Sequence, residues 1–244
     1  MSVVLGDGLR GLSELPSGAV DLVLTDLPSG RTQAPFDVRV DLASFFRAAL
    51  HAVAATGSIV IIADSFDFAH DVRQAGGEHF RYDLIWHKAR ATGFFAARHQ
   101  PLRAHEFVLV FSPSWHSYYE AQMSQNHTPV HGNKKQGHHG ANYGQQGQNV
   151  RKARAGATDR YPVSVLTTAV VGTTDPRRTH PQQKPLVLLE WIIRSYCPLR
   201  GLVCDPCAGS GSTLQAARNC NRRAIGWDHD PKFGLELHHA RPDS

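Results

Sequence analysis

The stretch Val203-Cys204-Asp205-Pro206-Cys207-Ala208-Gly209-Ser210-Gly211-Ser212-Thr213 decides the fold of this chain. It begins as an apolar run typical of a buried strand and continues through small residues into a predicted helix. Small residues let a ligand approach the backbone closely, and the free amides at a helix start favour an anionic group. Arg223-Ala224-Ile225-Gly226-Trp227-Asp228 then predicts a second strand that ends in an acid. An acid about 20 residues after such a loop can bind the ribose hydroxyls of a nucleotide-like ligand.

A third strand, near the N-terminus, also ends in an acid. It reads Val20-Asp21-Leu22-Val23-Leu24-Thr25-Asp26-Leu27-Pro28-Ser29-Gly30. Pro28 biases Leu27 towards an extended conformation and gives its carbonyl a fixed direction. A carboxylate beside such a carbonyl can hold both hydrogens of an amino group, and this segment alone leaves a helix cap or a turn as the alternative role of Asp26.

The rest of the chain predicts an α/β domain. Short apolar runs without period-two alternation suit a mainly parallel sheet that is covered on both faces, and helix-like stretches lie between them. The predicted strands are Ser2–Leu5, Val20–Thr25, Ser58–Ala63, Tyr82–His87, Phe107–Ser112, Leu202–Asp205 and Ala224–Asp228. The predicted helices are Leu42–Ala54, Leu186–Tyr196 and Gly211–Asn219.

Composition narrows the class of protein only a little. The chain has 244 residues and a net charge of +5, which permits a polyanionic partner without requiring one. It contains no long apolar run that would span a membrane, and its N-terminus does not resemble a secretory signal, so we expect a cytoplasmic protein. Cys204 and Cys207 have the spacing of a zinc knuckle, but one lies in an apolar strand and the other in a glycine loop, so we expect no metal site.

The segment from Pro113 to Arg160 breaks the α/β pattern. It has no long apolar run, and it interleaves cationic residues with Trp115, Tyr118, Tyr119 and Tyr143. Such a segment suits phosphate contact and base stacking, and a solvated insertion is the alternative. If the segment binds nucleic acid, the cationic residues predicted to contact it are Lys134, Lys135, Arg151, Lys152 and Arg154.

Taken together, these segments resemble the β class of amino-methyltransferases that modify DNA. In that family an Asp-Pro-Pro-Tyr catalytic motif comes first, target recognition lies mid-chain, and a cofactor loop comes last. The matching segments run from about residue 2 to residue 235: Asp26-Leu27-Pro28-Ser29, Ile85-Trp86-His87-Lys88, Arg103-Ala104-His105-Glu106, Thr179-His180-Pro181-Gln182-Gln183-Lys184-Pro185 and Asp205-Pro206-Cys207-Ala208-Gly209-Ser210-Gly211.

The resemblance implies a Rossmann-like, mainly parallel methyltransferase sheet of seven strands with a circularly permuted motif order. It implies one domain, with a catalytic part at residues 1–112, an inserted target-recognition region at 113–165 and a cofactor-binding part at 166–244. It also implies S-adenosylmethionine as methyl donor and double-stranded DNA with a flipped target base as substrate, in the manner of restriction–modification enzymes. A homodimer is left open.

The family roles carry over by position. Gly209 and Gly211 would line the methionine end of the cofactor, and Lys184 would approach its carboxylate. Asp228 would take the ribose hydroxyls, and Asp7 would lie by the adenine ring. The remaining cofactor residue is Asp205, and the catalytic residues are Asp26, Leu27, Pro28 and Ser29.

The catalytic motif departs from the family pattern at two positions. Leu27 replaces a proline but keeps the backbone carbonyl, whereas Ser29 replaces the aromatic residue that stacks on the flipped base. Phe36, Trp86 and Phe94 are candidates to replace that stack. Asp in the first motif position favours adenine N6 as the target. Cytosine N4, RNA, and a cofactor- or DNA-binding module without catalysis are the alternatives.

Overall fold

The computed structural model describes residues 3–31, 37–94, 97–115, 124–125, 159–160, 162–172 and 183–232. The chain divides into two compact units, of which one comprises residues 1–121 and 163–244 and the other Gln122–Pro162. In the second unit, β6 (Ser124–Gln125) pairs with β7 (Asp159–Arg160) in antiparallel fashion. All other elements below belong to the first unit.

The first unit is built on an eight-stranded, mainly parallel sheet. Its strands in spatial order are β1 (Val3–Leu5), β10 (Arg223–Asp228), β9 (Leu202–Asp205), β2 (Val20–Asp26), β3 (Val53–Ala63), β5 (Arg103–Phe111), β4 (Phe80–Thr92) and β8 (Val165–Thr168). Only β5 runs antiparallel to its neighbours. All seven predicted strands are present, and β8 is an eighth that the sequence analysis missed.

In the described part of the chain, five helices cover the two faces of this sheet. They are α1 (Gly8–Glu14), α2 (Leu42–Ala52), α3 (Phe66–Gly76), α4 (Leu186–Tyr196) and α5 (Ser212–Asn219), and a 3-10 turn, Gly77–His79, follows α3. The predicted helix Leu42–Ala54 was two residues too long, because Val53 already pairs with Val20 as the start of β3. The helices α1 and α3 were not predicted. α1 has seven residues, including Gly8 and Gly11, and five of the eleven residues of α3 are polar, so both segments have a weak overall apolar signal.

The central strands contain uninterrupted runs of apolar residues because both faces of the sheet are buried. On one face, Val23 and Ile59 pack with residues of α2 and α3 such as Phe45 and Val72. On the other face, alternate residues of the same strands, including Leu22, pack against α4 and α5. The predicted three-layer α/β architecture follows from this double burial.

The contact between β2 and β9 joins parts of the chain that are far apart in sequence. Leu22 and Val23 pair with Val203 and Cys204 in parallel register. At the start of this pairing, the Oδ2 atom of Asp21 accepts the amide hydrogen of Leu202 at 2.8 Å, across 181 residues. This bond helps to align the carboxyl ends of the two strands.

Replacing Asp21 with asparagine tests this connection. Asn presents a neutral oxygen to the Leu202 amide and loses the charge-assisted bond, so we expect the free energy of unfolding to fall by about 1–2 kcal/mol in urea titrations. Asp83, which is exposed on β4, provides the matched control, and Asp83→Asn should change stability by less than about 0.5 kcal/mol. Equal losses of stability in the two variants would contradict a stabilising role for the hydrogen bond between Asp21 and Leu202.

Candidate active site

A cavity of about 740 Å³ opens at the carboxyl ends of the central parallel strands. Acids at or just after the ends of four strands line this cavity. Asp26, Asp205 and Asp228 are the last residues of β2, β9 and β10, and Asp7 follows β1. This is the edge at which open α/β sheets bind ligands. Pro28, Lys184 and Gly209 also line it, whereas Leu27, Ser29 and Gly211 do not belong to its lining.

The loop between β9 and α5, which the sequence predicts to be the cofactor loop, contains two glycines in left-handed conformations and is braced by Asp228, to which its Gly209 amide donates a hydrogen bond. Gly209 and Gly211 have φ angles of +47° and +74°, in the left-handed region that favours glycine. The Gly209 amide donates to Oδ2 of Asp228 at 2.8 Å, and the Asp230 amide donates to Oδ1 at 2.8 Å. Each carboxylate oxygen has a second lone pair, so Asp228 can still accept hydroxyl hydrogens from a ligand.

The start of α1 packs tightly against the same loop. A Cβ atom on Gly8 would lie 1.8 Å from the carbonyl oxygen of Pro206, so only glycine fits there. Asp7 caps this helix, since its Oδ1 atom accepts the amide hydrogen of Leu9 at 2.8 Å. The structure therefore gives Asp7 a capping role beside its position in the cavity wall.

Asp205 is a buried carboxylate at the base of the cavity. Its side chain accepts the amide hydrogen of Cys207 at 3.0 Å. Burial raises the pKa of Asp205 to about 6, although hydrogen bonding to Thr213 and to the Cys207 amide opposes the rise. The ionised form is therefore costly to bury in the absence of a positive partner.

Asp26 makes an ion pair with Lys184. The Nζ atom of Lys184 lies 2.7 Å from Oδ2 of Asp26 and 3.3 Å from Oε2 of Glu106. Burial raises the pKa of Asp26 to about 6, Lys184 opposes this rise, and Glu106 adds to it. For Lys184, burial lowers the pKa, but the two carboxylates raise it more, so the ammonium stays charged. Glu106 was not predicted as a site residue, although its strand motif had been recognised.

The cavity lining is strongly acidic. Among the described residues that line it, seven are aspartates and two, Arg39 and Lys184, are cationic. The aspartates are Asp7, Asp26, Asp37, Asp41, Asp205, Asp228 and Asp230. Such a lining favours a ligand with positive charge and hydroxyl donors over a pyrophosphate.

The residues around the catalytic motif leave few candidates for base stacking. Ser29 is 8% exposed and lies outside the cavity lining. Trp86 is 2% exposed, and its indole donates to Thr168 at 2.8 Å, so its ring is not available at the surface. Phe94 is 64% exposed. Phe36 lies outside the described residues.

A basic hairpin at the same edge of the sheet was missed as a binding surface. Since β5 runs antiparallel to β3 and to β4, the connection between β4 and β5 projects beyond the carboxyl end of β3. The sequence from Lys88 to His105 contains no acid. Its described residues Arg90, Arg98 and Arg103 are exposed, as is Phe94. The absence of acids over this stretch was the signal that could have identified it.

The residues predicted to bind DNA in the insertion, Lys134, Lys135, Arg151, Lys152 and Arg154, lie outside the described residues, and their role stays a prediction. Across the part of the chain that the structure describes, no helix has the length and apolar character needed to cross a membrane.

Comparison with known proteins places these features in a family. A family described as DNA methylase, of the N6/N4 type, matches residues 20–234. The type II methyltransferase M.HindIII of Haemophilus influenzae is 41% identical over 56 residues, which cover 23% of this chain and 18% of that protein. The matches to curated relatives span about a fifth of those proteins' own length.

Solved structures resemble the whole chain. The M1.HpyAVI complex with S-adenosylmethionine has a TM-score of 0.63 and 19% identity, covering 97% of this chain and 98% of that one. The cytosine-N4-specific PvuII DNA methyltransferase has a TM-score of 0.68 and 15% identity, covering 99% and 87%. At these identities the likeness shows the methyltransferase fold alone. Because the family match extends over most of the sequence, the chain belongs to the N6/N4 DNA methylase family, whose methyl donor is S-adenosylmethionine.

Proposed function

We propose that this protein transfers a methyl group from S-adenosylmethionine to an exocyclic amine of double-stranded DNA, with adenine N6 as the favoured target. The observation that carries the proposal is the acidic cavity that places Asp26 beside the cofactor loop. Asp26 comes from the first part of the chain and the loop from the last, and the pairing of β2 with β9 brings them to one edge. The family supports DNA as the substrate.

The residues of the cavity fit the cofactor. Its sulfonium carries a positive charge on a methyl group that is already activated for transfer, which is the chemistry it supplies. Asp205 and Asp26 bring negative charge to the cavity. Asp228 offers acceptors for the ribose hydroxyls, and Gly209 allows close approach of the methionine end. Lys184 would bind the carboxylate of the cofactor while it stays paired with Asp26.

Asp26 and Leu27 would act on the target amine. An aromatic amine is a poor nucleophile because its lone pair is delocalised into the ring. Hydrogen bonds from the amine to the Asp26 carboxylate and the Leu27 carbonyl favour a pyramidal nitrogen whose lone pair faces the methyl group. When bound, the cofactor would supply the methyl group and leave as its neutral thioether, and Asp26 would accept the proton that the methylated nitrogen loses. In-line positioning supplies much of the rate.

The target base must leave the duplex to reach Asp26. The basic β4–β5 hairpin supports a DNA substrate, because exposed arginines at the same edge of the sheet as the cavity can bind backbone phosphates near the flipped base. Phe94 on this hairpin is exposed and could stack on the base in place of a residue at position 29. Asp as the first motif residue supports adenine, and cytosine N4 is the second candidate.

Methyl transfer is tested with labelled S-adenosylmethionine and mixed-sequence DNA, followed by mass spectrometry of the nucleosides. We expect N6-methyladenine from the wild type. Asp26→Asn should lower kcat by at least about a hundredfold, because the neutral amide is a weaker acceptor for the amine hydrogens. N4-methylcytosine would overturn the choice of base, and label in structured RNA alone would overturn DNA as substrate. Cofactor binding without any transfer would instead establish a binding module.

The acidic cavity predicts a pH-dependent affinity for the cofactor. Asp26 and Asp205 have pKa values near 6 and are protonated below that pH, so a cation binds best above it. Isothermal titration calorimetry should show S-adenosylmethionine binding on the order of tenfold more tightly at pH 7.5 than at pH 5.5.

S-adenosylhomocysteine is the matched control for this measurement, since it lacks the methyl group and the sulfonium charge. Its affinity should change less with pH. Equal pH dependence for the two ligands would contradict the role assigned to the carboxylates.

The hairpin predicts a salt-dependent contribution to DNA affinity. Arg90→Ala combined with Arg98→Ala should weaken binding to DNA of any sequence by about tenfold at low salt and reduce the slope of log affinity against log salt by about 1–2. Fluorescence anisotropy with a labelled duplex measures both. Arg47, exposed on α2, is the control, and Arg47→Ala should change neither quantity. An unchanged slope in the double variant would remove the hairpin from the interface.

A further inference from the structure

Two strand motifs have no role in the mechanism above, yet their buried charged residues are connected to Asp26 through Lys184. Lys88 of β4 and Glu106 of β5 have side chains that are only 5% and 11% exposed. The Nζ atom of Lys88 lies 3.2 Å from Oε1 of Glu106, whose Oε2 atom lies 3.3 Å from Nζ of Lys184. Lys184 in turn binds Asp26. We call this series, Asp26–Lys184–Glu106–Lys88, the four-charge chain.

The four-charge chain is costly to bury and is neutral as a whole. Removing charges from water costs several kcal/mol for each ion, and their pairing rarely gives more stability than apolar residues of similar size would. Two further contacts fix the lysines of the four-charge chain. Lys88 also donates to Thr92 at 3.1 Å, and the Lys184 ammonium lies 6.0 Å from the centre of the Trp86 ring. Because these buried ion pairs contribute little to the stability of the protein, we look for a role in its function.

We propose that Glu106, held by Lys88, is a positioning residue for methyl transfer. It fixes the Lys184 ammonium on Oδ2 of Asp26, which leaves Oδ1 to accept the hydrogen of the target amine. Among the described residues no donor binds Oδ1. This role rests on the proposed function, in which Asp26 must be an ionised acceptor.

The groups around Asp26 explain why the place of Lys184 matters. The described ionisable groups that act on Asp26 are Lys184 before α4, Glu106 on β5, Asp64 after β3, Asp205 at the end of β9 and Cys207 in the cofactor loop. Lys184 is the one cation among them. Burial, Glu106 and Asp64 raise the pKa of Asp26, and Lys184 lowers it. A small displacement of the ammonium therefore changes the fraction of Asp26 that is ionised near neutral pH.

Two single variants should move the acid limb of the kcat–pH profile in opposite directions. Activity falls as the pH drops through the pKa of Asp26, since the protonated acid no longer accepts the amine hydrogen. Lys88→Met leaves the four-charge chain with a net charge of −1 and lets Glu106 draw Lys184 away from Asp26, so the acid limb should move to higher pH. Glu106→Gln leaves the four-charge chain with a net charge of +1 and removes a carboxylate that repels Asp26, so the acid limb should move to lower pH. We expect each shift to be about 0.5–1 pH unit.

The double variant Lys88→Met with Glu106→Gln is the matched control, because it restores neutrality. Its acid limb should return to within about 0.3 unit of the wild type. In Glu106→Gln, kcat at the optimum should fall about tenfold with little change in the KM for the cofactor, because Lys184 is no longer fixed on one oxygen of Asp26. If Lys88→Met does not fold, the shift in Glu106→Gln and its reversal in the double variant still decide the matter.

A second readout separates this proposal from the proposed function. Carboxyl-carbon NMR of Asp26 follows its titration without turnover, and the same opposite shifts are expected there. Loss of stability and activity in all variants, with the acid limb and the NMR titration unmoved, would show that the four-charge chain is only structural. A wild-type protein that transfers no methyl group would overturn the proposed function, while the NMR titration would still decide whether Glu106 positions Lys184.

Discussion

The pairing of β2 with β9 is the constraint on which the rest of the structure depends. Leu22 and Val23 lie beside Val203 and Cys204 in parallel, so the acids that end the two strands point towards the same edge of the sheet. Ligand sites in open α/β sheets form at that edge because strand ends, loops and helix N-termini converge there. Had the two strands been antiparallel, Asp26 and the cofactor loop would lie at opposite edges, and no single cavity could contain both.

Electrostatics then decides what this cavity can hold. An excess of aspartates over cations suits a sulfonium ligand, and it also makes each buried carboxylate harder to ionise. Lys184 offsets this cost at Asp26, which must be ionised to accept hydrogens from an amine. The Lys184 ammonium also lies 3.3 Å from Oε2 of Glu106, so ion pairs connect Asp26 to the interior of the antiparallel β4–β5 pair. That pair also exposes Arg90, Arg98 and Arg103 at the same edge of the sheet.

Much of the sheet could be predicted because the cores of its central strands, such as β2 and the second half of β3, are apolar and buried on both faces. The ends of the helices and strands were less predictable, because the propensities of single residues do not show where strand pairing begins. Val53 directly follows α2 and could extend it, but it pairs with Val20 as the first residue of β3. The helices α1 and α3 were missed because glycines and polar residues hide their buried faces, while caps by Asp7 and Ser65 define their starts. The short strand β8 was missed because half of it is exposed at the edge of the sheet.

The sequence by itself determined the family, the order of its motifs and the residue types that carry charge at strand ends, because these are local patterns of a few neighbouring residues. Only the tertiary structure decided which charges meet. Lys184 was expected at the carboxylate of the cofactor, and it lies between Asp26 and Glu106. Asp228 braces the cofactor loop through the Gly209 amide, and Trp86 is buried and hydrogen-bonded to Thr168. These contacts span long stretches of chain, and they depend on strand order and register, which no local pattern specifies.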